Sequence, residues 1–155
     1  MTLLSNAINT KGEATILLSG GSTPKNLYLK LAKAKADWSN IKIGLVDDRM
    51  VPEQSEYSNA RMIKNIFSEL ENEKQPTIIP LVYNPENEEE NSVILPKWLE
   101  KLTQPDIVLL GMGEDGHFAS SLVSTCCSVR SGAILGAEKF TDHVLRRRVR
   151  QQRRM

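Results

Sequence analysis

Four short apolar runs, each closed by a polar, proline or glycine-rich segment, punctuate the first 110 residues of the chain. Ala14-Thr15-Ile16-Leu17-Leu18 ends at Ser19-Gly20-Gly21, and Ile41 to Val46 ends at Asp47-Asp48-Arg49. Thr77 to Leu81 is weaker, and Asp106 to Leu110 leads into Gly111-Met112-Gly113-Glu114-Asp115-Gly116-His117. Runs this short, bounded by turn formers, read as buried strands. Between them the apolar residues recur at helical spacing. Leu27, Tyr28, Leu31 and Ala34 mark one helix, in which Thr23 is the expected cap and Pro24 suits the first turn. A second helix is expected from about Ser58 to Leu70, with Met62, Ile63, Ile66, Phe67 and Leu70 on one face. Asn84 to Asn91 reads as an acidic, solvated loop, and a short helix is expected to carry Leu95, Trp98, Leu99 and Leu102.

Strands that alternate with helices specify an α/β domain, a Rossmann-like parallel sheet with helices on both faces. Ligands of such sheets sit beyond the carboxyl ends of the strands. Three of the runs end in loops able to do chemistry: Ser19 to Thr23, Asp47 to Arg49, and Gly111 to His117. The topology therefore predicts one shared site at one rim.

Charge divides the chain near residue 120. Residues 1–120 carry 12 Lys+Arg and 17 Asp+Glu, a net of −5, whereas residues 121–155 carry 8 and 2, a net of +6. Lysine dominates the first part and arginine the second, which also holds adjacent Cys126 and Cys127. Neighbouring cysteines rarely bridge each other, and without a histidine pattern they are poor zinc ligands. They read as ordinary thiols of a reducing compartment. The chain has no apolar run long enough to cross a membrane, and its start lacks the pattern of a signal peptide, so a cytoplasmic setting is the expectation. The arginines of the tail could contact nucleic acid electrostatically, but no recognition motif accompanies them, so nucleic acid is not an expected partner.

Each candidate segment has a bland reading beside the functional one. Ser19-Gly20-Gly21-Ser22-Thr23-Pro24 is either a phosphate cradle at a helix start or a turn with a cap, and spacing alone does not separate the two. It matches neither the Walker pattern nor the dinucleotide fingerprint. Arg49 could hold a phosphate, and Asp47 or Asp48 a sugar hydroxyl; alone, a structural ion pair between Arg49 and a neighbouring acid is the better reading. His117 suits a general base near neutral pH, with Asp115 or Glu114 orienting its ring, against a structural cap at a helix start. Gly111, Gly113 and Gly116 match a dinucleotide loop weakly, but two acids inside it would repel a pyrophosphate. His143, in the arginine-rich tail, reads as incidental.

Taken in order, Ser19 to Pro24, Asp47-Asp48-Arg49-Met50-Val51-Pro52, Tyr57-Ser58-Asn59 and Gly111 to Ser120 resemble the glucosamine-6-phosphate isomerase/6-phosphogluconolactonase family. The last motif is similar to the lactonase branch, in which Gly-Glu-Asp-Gly-His-x-Ala-Ser is usual; the Ala-Phe-Asn-Glu of the deaminase branch is absent. Asp48 stands where lactonases usually carry Glu, which keeps the charge. The resemblance implies hydrolysis of 6-phospho-D-glucono-1,5-lactone to 6-phosphogluconate, in the oxidative pentose phosphate pathway, without metal or cofactor. It implies that His117 is the base, that Asp115 or Glu114 holds the imidazole, that Gly20, Gly21, Ser22 and Thr23 seat the phosphate with help from Arg49, and that Asp47 positions a sugar hydroxyl. A deaminase-like enzyme and a non-catalytic sugar-phosphate-binding fragment are the alternatives.

The resemblance spans about Ala14 to Ser120. Relatives continue with Leu-Phe-Pro and further strands, whereas this chain reads Ser121-Leu122-Val123-Ser124-Thr125. We therefore divide the chain into a sugar-phosphate-binding α/β domain, 1–120, and an arginine-rich tail, 121–155, read as disordered and unrelated to the family. The expected origin of the tail is a shifted reading frame or an alternative exon. With the C-terminal part of the family fold missing or replaced, the sheet is expected to present an edge through which copies could associate.

Overall fold

The computed structural model describes residues 2–71, 74–87, 89–91, 93–94 and 104–111. These form helix α1 (Thr2–Lys11), strand β1 (Ala14–Leu18), helix α2 (Ser22–Ala32), a 3-10 turn at Trp38–Asn40, strand β2 (Ile41–Leu45), helix α3 (Asn59–Phe67), and strands β3 (Thr77–Ile79) and β4 (Ile107–Leu109). The strands make one sheet in the order β3-β2-β1-β4. Every pairing is parallel, with Ile16 opposite Ile43 on one side and Ile107 on the other. All five residues of β1 are buried. Because successive side chains point to opposite faces, both faces of this central strand are covered.

The core follows the strand period. Ala14, Ile16 and Leu18 of β1 join Ile41, Ile43 and Leu45 of β2, and α3 adds Ile63, Ile66 and Phe67. Trp38 meets Phe67 edge-on with ring centroids 4.9 Å apart, a favoured aromatic geometry. Both crossovers, β1-α2-β2 and β2-α3-β3, step the same way across the sheet, and right-handed crossovers place their helices on one face. Accordingly α2 and α3 are in contact. β4 is pinned at its start: Asp106 accepts from the Thr15 amide at 2.9 Å and from Lys11 Nζ at 2.5 Å, and its own amide donates to Thr15 O at 2.8 Å.

Several expectations need correcting. Thr23 does not cap α2; Gly21 occupies the cap position without a side-chain bond, and Thr23 lies inside the first turn. Of the expected α2 stripe, Tyr28 is buried and Leu31 packs against the core, but Leu27 is 50% exposed and Ala32 completes the buried face. Helix α3 stops at Phe67, short of Leu70. The segment from Asn84 to Asn91 is no simple solvated loop. Asn91 is buried, accepts from the Tyr83 and Asn84 amides at 2.7 and 2.9 Å, and donates to the Asn84 and Asn87 carbonyls. One buried carboxamide thus organises the turn while Glu86 and Glu89 stay exposed. The helix expected around Leu95 to Leu102 and the whole tail lie outside the described residues. Among the described residues no helix is long and apolar enough to cross a membrane.

Candidate active site

The strand order locates the crevice. From β1 the chain steps one way to β2 and β3, and β4 pairs with the opposite side of β1. The direction reverses between β1 and β4, and in open parallel sheets ligands bind at that switch point, beyond the carboxyl ends of the strands. The loop after β1 begins the Ser19 to Thr23 segment, and the end of β4 runs into Gly111. A Cβ on Gly111 would lie 3.4 Å from Ser19 Oγ, so the two loops are in contact. The Asp47 to Arg49 loop follows β2, the other neighbour of β1.

The cradle loop owes its shape to its glycines. Gly21 has φ 100° and ψ 170°, a combination essentially restricted to glycine. It turns the chain so that α2 starts at Ser22, leaving the first amides of the helix without intrahelical acceptors. Pro24 has no N–H to offer, so the donors are the amides and hydroxyls of Ser22 and Thr23. Gly21, Ser22 and Thr23 are exposed, open to a ligand. Beneath them Tyr28 is buried; its hydroxyl donates to Ser19 O at 2.9 Å and lies 3.4 Å from Ser19 Oγ. Burial raises the Tyr28 phenol above the ordinary tyrosine range, opposed by the hydrogen bonds of Ser19 and aided by the negative charge of nearby Asp47.

Asp47, Asp48 and Arg49 divide their work. Asp48 is buried, and its carboxylate accepts from the amides of Arg49 (2.9 Å), Asn59 (2.8 Å) and Ala60 (3.1 Å) and from Ser58 Oγ (3.5 Å). It therefore anchors the N-terminus of α3, where a negative charge is favoured. Ser58 is the formal cap, accepting from the Arg61 amide at 3.2 Å. Asp47 is partly exposed and so available to a ligand. Arg49 is exposed, and Nη1 donates to Tyr57 O at 2.8 Å. Among the described residues that bond, to a backbone carbonyl, stands in place of the expected ion pair with a neighbouring acid.

The motifs assign no individual role to Asn59, and to Tyr28 none beyond an apolar helical stripe. Asn59 is buried at the start of α3, and its Nδ2 donates to Asp47 O at 3.1 Å. A Cβ on Gly20 would overlap its carboxamide. The only sequence signal for it was its place in Tyr57-Ser58-Asn59. The structure thus brings Gly20 to Thr23 and Asp47 to Arg49 together through Asn59. Glu114, Asp115 and His117 lie outside the described residues, as do Gly113 and Gly116. Among the described residues no cluster of His, Cys, Asp or Glu is arranged to hold a metal.

Comparison with known proteins agrees with this geometry. The family model described as glucosamine-6-phosphate isomerases/6-phosphogluconolactonase matches residues 1–123. A 6-phosphogluconolactonase of Rhizobium meliloti is 36% identical over 118 residues, covering 76% of this chain and 50% of the relative. One from Xylella fastidiosa strain Temecula1 is 38% identical, again over 76% of this chain and 48% of the relative. The crystal structure of a 6-phosphogluconolactonase from Shewanella baltica superposes with a TM-score of 0.70 at 31% identity, covering 77% of this chain and 51% of that one. The Thermotoga maritima 6-phosphogluconolactonase gives 0.66 at 32% identity, covering 77% and 55%. This chain spans about half the length of the relatives it matches. The parallel sheet, the loops at its rim and the match over residues 1–123 together show that the chain belongs to the glucosamine-6-phosphate isomerase/6-phosphogluconolactonase family.

Proposed function

We propose that the chain acts on a sugar-phosphate lactone, hydrolysing 6-phospho-D-glucono-1,5-lactone to 6-phosphogluconate as its lactonase relatives are named for doing. The observation that carries the reading is the meeting of an anion-binding helix start with a partly exposed carboxylate. Ser22 and Thr23 offer amides at the N-terminus of α2, and Asn59 lies between the backbone of Gly20, in the same loop, and that of Asp47. A phosphate at one end of a ligand would take the cradle amides, the hydroxyls and Arg49, where helix dipole and guanidinium both favour negative charge. Asp47 would accept a hydrogen bond from a sugar hydroxyl. The residues that bind need no metal or cofactor for this.

The chemical step is assigned to His117. Its imidazole takes a proton from water as the water oxygen bonds to the lactone carbonyl carbon, and Asp115 or Glu114 steadies the imidazolium that forms. The tetrahedral oxyanion then reforms the carbonyl, the bond to the ring oxygen breaks, and the proton returns to that oxygen. A free acid and a hydroxyl result. The family match ends at residue 123, close to the shift in charge. This supports reading 1–120 as the sugar-phosphate domain and the arginine-rich remainder as a separate tail, in a cytoplasmic protein that does not need nucleic acid and whose sheet edge offers a route to self-association.

The test is 6-phosphogluconolactone hydrolysis by the purified chain, measured above the spontaneous rate beside His117→Ala. Turnover that falls at least about a hundredfold in the variant is expected from loss of a general base. Turnover that survives the substitution would remove His117 from the step. Binding without turnover in either protein would favour the non-catalytic fragment.

A further inference from the structure

Asn59 stands where the two halves of the candidate site meet. It is 8% exposed and is the first residue of α3. Its amide donates to Asp48 Oδ1 at 2.8 Å, its side-chain Nδ2 donates to Asp47 O at 3.1 Å, and its carboxamide fills the space a Cβ on Gly20 would need. One side chain thus contacts the backbone of the phosphate loop and of the Asp47 loop together. Capping does not account for this, because the helix start is already served by Ser58 and Asp48. What the carboxamide adds is a flat group thin enough to lie against a glycine and a donor aimed at a carbonyl; a carboxylate of the same shape would lack that donor and set two acceptors against each other.

We infer that Asn59 is a positioning residue that sets the distance between the phosphate cradle and Asp47. It thereby selects ligands that carry a phosphate at one end of a sugar-length chain and hydroxyls at the other. The inference rests on the sugar-phosphate reading of the site. It separates two kinds of ligand. Inorganic phosphate needs the cradle alone, whereas 6-phosphogluconate must reach both loops.

Calorimetric titration of the full chain, Asn59→Asp and Asn59→Ser with both ligands tests it. Asn59→Ser keeps a small polar residue at the helix start, so it serves should the aspartate variant fail to fold. Phosphate affinity is expected to stay within about twofold, while 6-phosphogluconate binding weakens about tenfold or more, as loss of one well-made contact allows. Equal weakening of both ligands would overturn positioning in favour of plain support of the fold. Unchanged binding of both would overturn it too, leaving the sugar-phosphate reading standing. A parent chain that binds phosphate but not 6-phosphogluconate would overturn both.

Discussion

Gly21 shows how much of the site rests on single positions. At φ 100° and ψ 170°, a Cβ would be strained whatever the surrounding space, so Gly21→Ala should cost about 1–3 kcal/mol, read as a lower urea midpoint at unchanged slope. Tyr28 carries a pH signature. Its phenol is raised by burial, so the unfolded chain releases that proton first as pH climbs. The corresponding stability is complete below the ordinary tyrosine value of about 10 and is lost as pH rises through the folded value. Tyr28→Phe should remove that alkaline component and cost about 1 kcal/mol at neutral pH, from the lost bond to Ser19 O. Urea titrations of both proteins across the alkaline range would check this. Little of it was legible in the sequence. Tyr28 read as one apolar position in a helical stripe, because nothing in a linear pattern says that its hydroxyl ends under Ser19. Asp48 read only as a charge kept where the lactonases carry Glu, because its partners at Asn59 and Ala60 are eleven and twelve residues away.

At the scale of elements, β1 and the start of β2 stand where the apolar runs place them, because both strands are buried and their hydrophobic runs are nearly continuous. Ends are less legible. β2 stops at Leu45, although Val46 is buried and its amide still bonds to Leu18 O at 2.9 Å. Helix α1 carries Leu4, Ala7 and Ile8 at helical spacing, but its polar residues Asn6, Asn9 and Thr10 are weak helix formers, and packing of Leu4 and Ala7 on the core compensates. The helix that matters most to the site, α3, depends on a carboxylate from another element. Asp48→Ala would strip acceptors from the amides of Arg49, Asn59 and Ala60. At one to three kcal/mol for each buried donor left unpaired, moderated by relaxation and water, the expected loss is about 2–4 kcal/mol. Hydrogen exchange should show α3 opening ahead of β1 in that variant; equal protection in both elements would place the carboxylate outside the helix anchor.

For the whole molecule, the alternation of runs and stripes was sufficient for the parallel α/β class, since strands joined by helical crossovers pair in parallel and are covered on both faces. Strand order was not available from that pattern. That β4 pairs with β1 rather than extending past β3 is a matter of tertiary packing, made by Asp106 on Thr15 and Lys11, and it puts the switch point beside Ser19. One sugar-phosphate site formed by the loops after β1 and β2 is what we propose. Amide NMR of the isotope-labelled chain during titration with 6-phosphogluconate tests it most directly. Saturable shifts are expected at Gly20, Gly21, Ser22 and Thr23 together with Asp47, Asp48, Arg49 and Asn59, with little change at α1. Shifts confined to the arginines after residue 145, or at the cradle without the Asp47 loop, would contradict it.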